Sequence, residues 1–195
     1  MTKRNRIIII IALVVIIVMC CVNAVAQAIM IDHPQYYSIY NCGVRCPAQV
    51  GWTVHAEDIG TAKRQPGWRF LSDVPDTLAY VRHSDFTNSG YQRGHLCPAA
   101  DRSACSELMR GTFHLSNVAP QVPALNVGAW KSSENFCRAA ALKYGSIDVV
   151  VVPIFLRRDT TFIGRNRLAV PHAFFKAAWV TASDSVIGSW FLFNK

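Results

Sequence analysis

Arg93, His95, Asn117, Asn126, Glu134 and Arg138 fall within 46 positions of this 195-residue chain. His95 lies in Tyr91-Gln92-Arg93-Gly94-His95-Leu96-Cys97-Pro98. Asn117 follows 22 residues later in Leu115-Ser116-Asn117-Val118, and Asn126, Trp130, Glu134 and Arg138 then recur at steps of four. These residue types suit the cutting of a phosphodiester. An imidazole with an unperturbed pKa of about 6.5 takes a proton from water near neutral pH. An asparagine oxygen is a hard donor for Mg²⁺, which keeps most of its own waters and takes few protein ligands. The ion offsets charge growing on the phosphate, and arginines clamp phosphate oxygens. Taken singly, each residue has a plainer reading. A histidine beside a glycine is usually structural, and a Glu134–Arg138 pair on a solvated helix face is worth a few tenths of a kcal/mol.

The elements that must position these groups are legible in outline. Residues 126–144 read as a helix closed by Gly145 as its C-terminal cap. Steps of four drift by only about 40° on such a helix, so Asn126, Trp130, Glu134 and Arg138 form one gently winding stripe, with Trp130 as packing. The stretch around His95 reads as a short strand or turn bounded by Gly94 and Pro98. Residues 112–118 alternate like a strand, and Pro120 and Pro123 then break the chain. A hairpin with a long connection followed by an asparagine-bearing helix is a ββα-metal arrangement. Elsewhere, residues 50–54, 147–155, 168–171, 174–181 and 185–193 read as strands, the second as a buried central one. Residues 102–111 suit a short surface helix, and residues 57–90 read mostly as loops. The expected class is α+β, with a central, mostly antiparallel sheet and flanking helices.

These residues carry a resemblance to the DNA/RNA non-specific endonuclease family of ββα-metal nucleases. Its signature is D-R-G-H, then S-N, then N-x-x-x-W-x-x-x-E-x-x-x-R. The chain reads Gln92-Arg93-Gly94-His95, Ser116-Asn117, and Asn126 through Trp130 and Glu134 to Arg138. The resemblance spans roughly residues 45–195. It implies His95 as general base, Asn126 as direct ligand of Mg²⁺ (or Mn²⁺), and Glu134 as holder of water on that ion. It also implies Arg138 on phosphate and Asn117 as support of the site geometry. An upstream arginine belongs to the pattern, placed at Arg69 with Arg64 as the alternative, and Arg93 shapes or charges the site. The implied reaction is hydrolysis of DNA and RNA. Gln92 departs from the usual Asp: it keeps a hydrogen bond but loses a negative charge, which bears on electrostatics and rate.

The rest of the sequence bounds this expectation. Lys3, Arg4 and Arg6 precede an uncharged run from Ile7 to Ile31, with Ala24-Val25-Ala26 as a cleavage-like pattern. Residues 1–26 are expected to be a signal peptide or an N-terminal membrane anchor, with the apolar part of residues 7–26 inserting. The protein is then exported, to a periplasm or the medium. Residues 27–48 are expected as an irregular lead-in, and residues 49–195 as the nuclease domain. The formal charge of +8, less the three basic residues of segment 1–26, leaves +5, a balance that suits nucleic acid without proving it. Of seven cysteines, Cys42, Cys46, Cys97, Cys105 and Cys137 lie beyond that segment. Bridges Cys42–Cys46 and Cys97–Cys105 are the local pairings expected in an oxidising compartment. A zinc site at Cys42 and Cys46 competes but lacks a convincing second pair. The alternative functions are a catalytically impaired nucleic-acid-binding protein of the same fold, and a disulfide- or zinc-stabilised envelope protein. The oligomeric state is left open.

Overall fold

Alternation of side chains on one sheet sets the architecture. The computed structural model describes residues 28–156 and 159–195, so the expected signal or anchor at residues 1–26 lies outside the described residues. Six strands form an antiparallel sheet in the order β1 (Ala28–His33), β2 (Tyr36–Asn41), β3 (Cys46–His55), β6 (Ser146–Ile154), β9 (Ala173–Val180) and β10 (Val186–Phe193). Directly paired residues of antiparallel strands point to the same face. Val50, Trp52 and Val54 of β3 pair with Val151, Val149 and Ile147 of β6. Val149 and Val151 pair in turn with Ala178 and Lys176 of β9. The apolar members of this face belong to the main hydrophobic core. The opposite face is more open, and Phe175 there stays 39% exposed.

Helix α3 (Lys131–Tyr144) covers the packed face through buried Cys137, Ala140 and Ala141, with Trp130 just ahead of it. The Trp130 ring meets Phe174 edge-on at 5.1 Å. Truncating so large a buried aromatic costs about 3–5 kcal/mol, so Trp130 is the packing residue of the stripe. Gly145 ends the helix at φ 84°, a left-handed conformation that a side chain would strain. Two short helices, α1 (Asp76–Ala79) and α2 (Ser106–Arg110), lie in the connections. No helix among the described residues is long and apolar enough to cross a membrane.

A separate hairpin pairs β4 (Gln92–His95) with β5 (Val118–Gln121), with Gln92 opposite Gln121 and His95 opposite Val118. A small ribbon, β7 (Phe162–Ile163) with β8 (Leu168–Ala169), completes the strands. The hairpin, the long connection within it and the helix that follows are the expected ββα arrangement on a mainly antiparallel sheet.

Several details differ from the sequence expectations. Residues 32–48 are not irregular: they hold the end of β1, all of β2 and the start of β3. Pro34 and Gln35 make only the tight turn between β1 and β2, and the Tyr-rich alternation after them is strand. The strand expected at residues 112–118 begins at Val118 instead, after a 3₁₀ turn over Leu115–Asn117. Pro120 sits inside β5, opposite Arg93, rather than breaking the chain. Neither expected disulfide forms: all five cysteines of the described region are free, with Cys97 buried and Cys105 exposed.

Candidate active site

The His95 strand leaves room for a buried side chain of its partner. A Cβ at Gly94 would lie 2.2 Å from Gln121 Oε1, so glycine here makes the space in which the buried Gln121 side chain packs across β4. His95 follows at the strand end. Its ring meets Phe70 and Phe113 at 4.7 Å each, and its Nε2 is buried with no hydrogen-bond partner. Burial, with the positive charge of Arg64, holds the His95 pKa down to about 3, so the ring is neutral at physiological pH. Asn117 fixes this strand end from behind. Its Oδ1 accepts the Cys97 N–H at 2.8 Å, and its Nδ2 donates to the carbonyls of Cys97 and Thr112 at 2.9 and 3.0 Å. Fully buried, Asn117 acts as a clamp on the hairpin rather than as a group facing the pocket.

Across the pocket stands the helix. Asn126 and Glu134 join Arg93, His95, Pro98, Ala99 and Ala100 around a cavity of about 220 Å³. Asn126 does not sit on a regular stripe. Residues Asn126–Trp130 form a π-helical turn broken at Gly128 (φ −101°, ψ −112°), and the regular helix starts at Lys131. The wide turn changes the rotation of Asn126 relative to Glu134, which the even step of four does not foresee. Gln92 holds the amide in place: Asn126 Nδ2 donates to Gln92 Oε1 at 2.7 Å. An acceptor is all this bond requires, so Gln replaces the usual Asp without losing it. Asn126 Oδ1 takes no hydrogen bond among the described residues. Glu134 is half-buried; burial pushes its pKa up to about 7, against the pull of Lys176 and Arg138.

The arginines divide into two kinds. Arg64 is exposed, lies over Phe113 at 5.0 Å, and bears electrostatically on both His95 and Arg93. Arg69, the first placement from sequence, is exposed and bears on His83 instead. The structure therefore brings Arg64, and not Arg69, to the histidine. Arg93 lines the cavity, but its guanidinium donates to the His83 carbonyl at 2.8 and 3.1 Å and to Thr87 Oγ1 at 3.1 Å. Arg138 is turned to Asp101, with Nη1 donating at 2.9 Å, and to Asn135 Oδ1 at 2.5 Å. It does not line the cavity. Its charge reaches the site through Glu134.

Sequence reasoning missed two supports. Asp101, fully buried, accepts from Arg138 and from Trp52 Nε1 at 3.0 Å, tying α3 to β3. Lys176, fully buried on β9, lies over the Trp130 ring at 5.0 Å and the Trp52 ring at 5.8 Å, and donates to Ser133 Oγ at 3.2 Å. It places a positive charge beneath Glu134. The only sequence signal for it is a lone lysine in an apolar strand. An uncharged imidazole thus shares the cavity with a free amide oxygen and the Glu134 carboxyl group, and Arg93 lines its wall. The hard oxygen donors fit a divalent cation of the Mg²⁺ kind.

The comparisons agree with this geometry. The family model described as DNA/RNA non-specific endonuclease matches residues 22–192. The chain is 39% identical to mitochondrial endonuclease G of Homo sapiens over 120 residues, which cover 56% of this chain and 40% of that protein. It is 33% identical to the mitochondrial Nuclease 1 of Schizosaccharomyces pombe over 156 residues, 72% of this chain and 48% of that one. The chain thus spans about half or less of the length of these relatives. A solved structure of an EndoG/EndoGI complex, described as showing the mechanism of EndoG inhibition, superposes with a TM-score of 0.77 at 26% identity. That match covers 85% of this chain and 74% of the other. The ββα-metal fold, the His95 hairpin and the family match converge: this chain belongs to the DNA/RNA non-specific endonuclease family.

Proposed function

We propose that this protein is a metal-dependent endonuclease that hydrolyses phosphodiester bonds in both DNA and RNA. The observation that carries the reading is the single cavity that gathers His95 from β4 with Asn126 and Glu134 from the helix, across a long sequence connection. Asn126 and Glu134 would hold a Mg²⁺ ion, or Mn²⁺, which when bound supplies positive charge to the phosphate and the leaving oxygen.

The protein's own residues supply the rest. His95 is neutral at working pH and accepts a proton from the attacking water. Its pKa of about 3 in the free protein makes it a weak base. Burial is the larger cause of that depression and Arg64 the smaller; the negative charge of a bound phosphate offsets the Arg64 part and raises the basicity of His95. Phe70 and Phe113 hold the ring in one orientation, so the water and the phosphorus are met in a fixed geometry. Arg64 and the cavity-facing side of Arg93 attract the phosphate. Recognition through phosphate carries little base information, which accounts for action on both nucleic acids with weak sequence preference.

Digestion of supercoiled plasmid and of structured RNA, with Mg²⁺ and with excess EDTA, tests the reading. Cutting of both with Mg²⁺ and of neither with EDTA is expected; salt-sensitive binding without any cutting contradicts it. The proposal includes export, on the strength of Lys3, Arg4 and Arg6 before the apolar run. Fractionation of cells expressing the full chain checks this, and a purely cytosolic location counts against it.

A further inference from the structure

Away from the cavity, three side chains from distant parts of the chain converge. His33 ends β1, Asp73 lies in the loop before α1, and His114 precedes the 3₁₀ turn that carries Asn117. One potential ligand atom from each lies within 4.8 Å of the others, and all three side chains are half-buried, so an ion from solvent can reach them.

The surroundings are built as a metal site's outer contacts are built. His114 Nδ1 donates to the Gly111 carbonyl at 3.0 Å. That bond fixes the tautomer and leaves Nε2 with a bare lone pair, the usual arrangement behind a ligating histidine. The His33 and His114 rings stack face to face at 4.3 Å with 12° between planes, which brings the two imidazoles together. His33 Nε2 meets Asp73 Oδ2 at 2.9 Å. The Asp73 carboxylate is itself oriented by Ser116, whose N–H donates to Oδ1 at 3.0 Å and whose hydroxyl donates to Oδ2. Tyr36 OH bonds the Ser116 hydroxyl at 2.9 Å. His114 and Asp73 thus each have an outer partner that sets their direction, while His33 is oriented by Asp73 itself.

We infer that His33, Asp73 and His114 form a second metal site, which binds Zn²⁺ independently of the nuclease centre. Two imidazoles and one carboxylate are a borderline donor set that suits zinc, whereas Mg²⁺ prefers oxygen alone. Bonds of about 2.0–2.2 Å make tetrahedral edges of roughly 3.3–3.6 Å. The 2.9 Å His33–Asp73 contact is shorter than that edge, and ring lone pairs lie in the ring planes, so ligation lengthens this contact and opens the His33–His114 stack by rotation of the two half-buried rings. Three protein ligands leave a fourth position for water. The bound ion cross-links β1 to the loop at Asp73 and to the segment leading into Asn117, so it stiffens the back of the catalytic hairpin.

The test is titration of the full chain with Zn²⁺ in excess Mg²⁺, followed by calorimetry, by the thermal midpoint, and by the visible spectrum with Co²⁺ as substitute. One equivalent with a tetrahedral Co²⁺ spectrum and a raised midpoint is expected, unchanged in His95→Ala. His114→Ala and His33→Ala are expected to weaken binding at least about tenfold, the range seen when even outer contacts are removed. His33 ends a strand at the sheet edge, so His33→Ala keeps the test open if His114→Ala fails to fold. No zinc binding by the wild type, or the same site persisting in both histidine variants, overturns the inference.

Discussion

Replacing Asn117 by alanine separates a clamp from a catalyst. The side chain is fully buried and satisfies three backbone groups: Cys97 N–H, Cys97 C=O and Thr112 C=O. Its removal leaves those groups without partners. Each buried orphan costs about 1–3 kcal/mol, and the carbonyls relax more easily than the N–H. A total of about 3–5 kcal/mol follows, a large share of the 5–15 kcal/mol typical of a domain. For a chain of this size 1 kcal/mol lowers the melting midpoint by about 2–4 °C, so a fall of roughly 6–20 °C is expected. Asn117→Asp is expected to behave similarly at neutral pH, because its second oxygen faces two carbonyls instead of donating to them. The assay is thermal unfolding followed by circular dichroism, with nuclease turnover measured well below the lowered midpoint. Activity is expected to fall mainly in kcat, since Cys97 lies two residues from His95 and the strand end loosens. A midpoint within about 2 °C of wild type, with activity lost, refutes the clamp and makes Asn117 a direct participant.

Arg64→Ala is expected to lower kcat/KM on the order of a hundredfold, as loss of a charge-stabilising donor does, while Arg69→Ala stays within a few-fold; equal losses contradict the placement of Arg64 beside His95. Gln92→Asp keeps the bond to Asn126 and adds a negative charge near the cation, so the Mg²⁺ concentration for half-maximal cutting is expected to fall about tenfold; an unchanged requirement separates Gln92 from the ion. His95 has a lowered pKa, so the unfolded chain binds its proton more readily between pH 6.5 and about 3. The stability from keeping His95 neutral is complete above pH 6.5 and drains as pH falls. Glu134 acts in reverse: its raised pKa gives stability that is full below pH 4.5 and is lost as pH rises through about 7. Urea midpoints from pH 7 down to 4 are therefore expected to fall less in His95→Gln than in the wild type, and parallel curves contradict the burial of the ring.

How much of this was legible depended on whether a feature is local. The helix expected over residues 126–144 is present from Lys131 to Tyr144 with its Gly145 cap, and the strands expected at 147–155, 174–181 and 185–193 appear at 146–154, 173–180 and 186–193, all from short-range pattern. The π-turn was hidden because the spacing of four suits a regular helix, and nothing marks Gly128 as a break. The lead-in hid β1 and β2 because proline and tyrosine clusters suggest loops, while the ladder to β3 is a long-range fact. His95, Asn126 and Glu134 were readable because residue types with matching chemistry recur in one motif. Arg64 and Arg69 were not separable, since five residues apart in a loop decide nothing until the fold places Phe113 under one of them. Arg138 was expected on phosphate, but its tie to Asp101 depends on a partner 37 residues away. The His33–Asp73–His114 cluster has no spacing signature at all, because its members are about 40 positions apart.

The most direct test of the central claim is a Mg²⁺ titration of single-turnover plasmid cleavage by wild type, His95→Ala and Asn126→Ala. The two variants should fail differently. His95→Ala is expected to lose about 10²–10⁴ in the saturated rate, the range for a missing general base, with its Mg²⁺ requirement unchanged. Asn126→Ala is expected to need much more Mg²⁺ to reach its maximum. A wild-type rate that persists in EDTA, or a His95→Ala rate equal to wild type, contradicts the account.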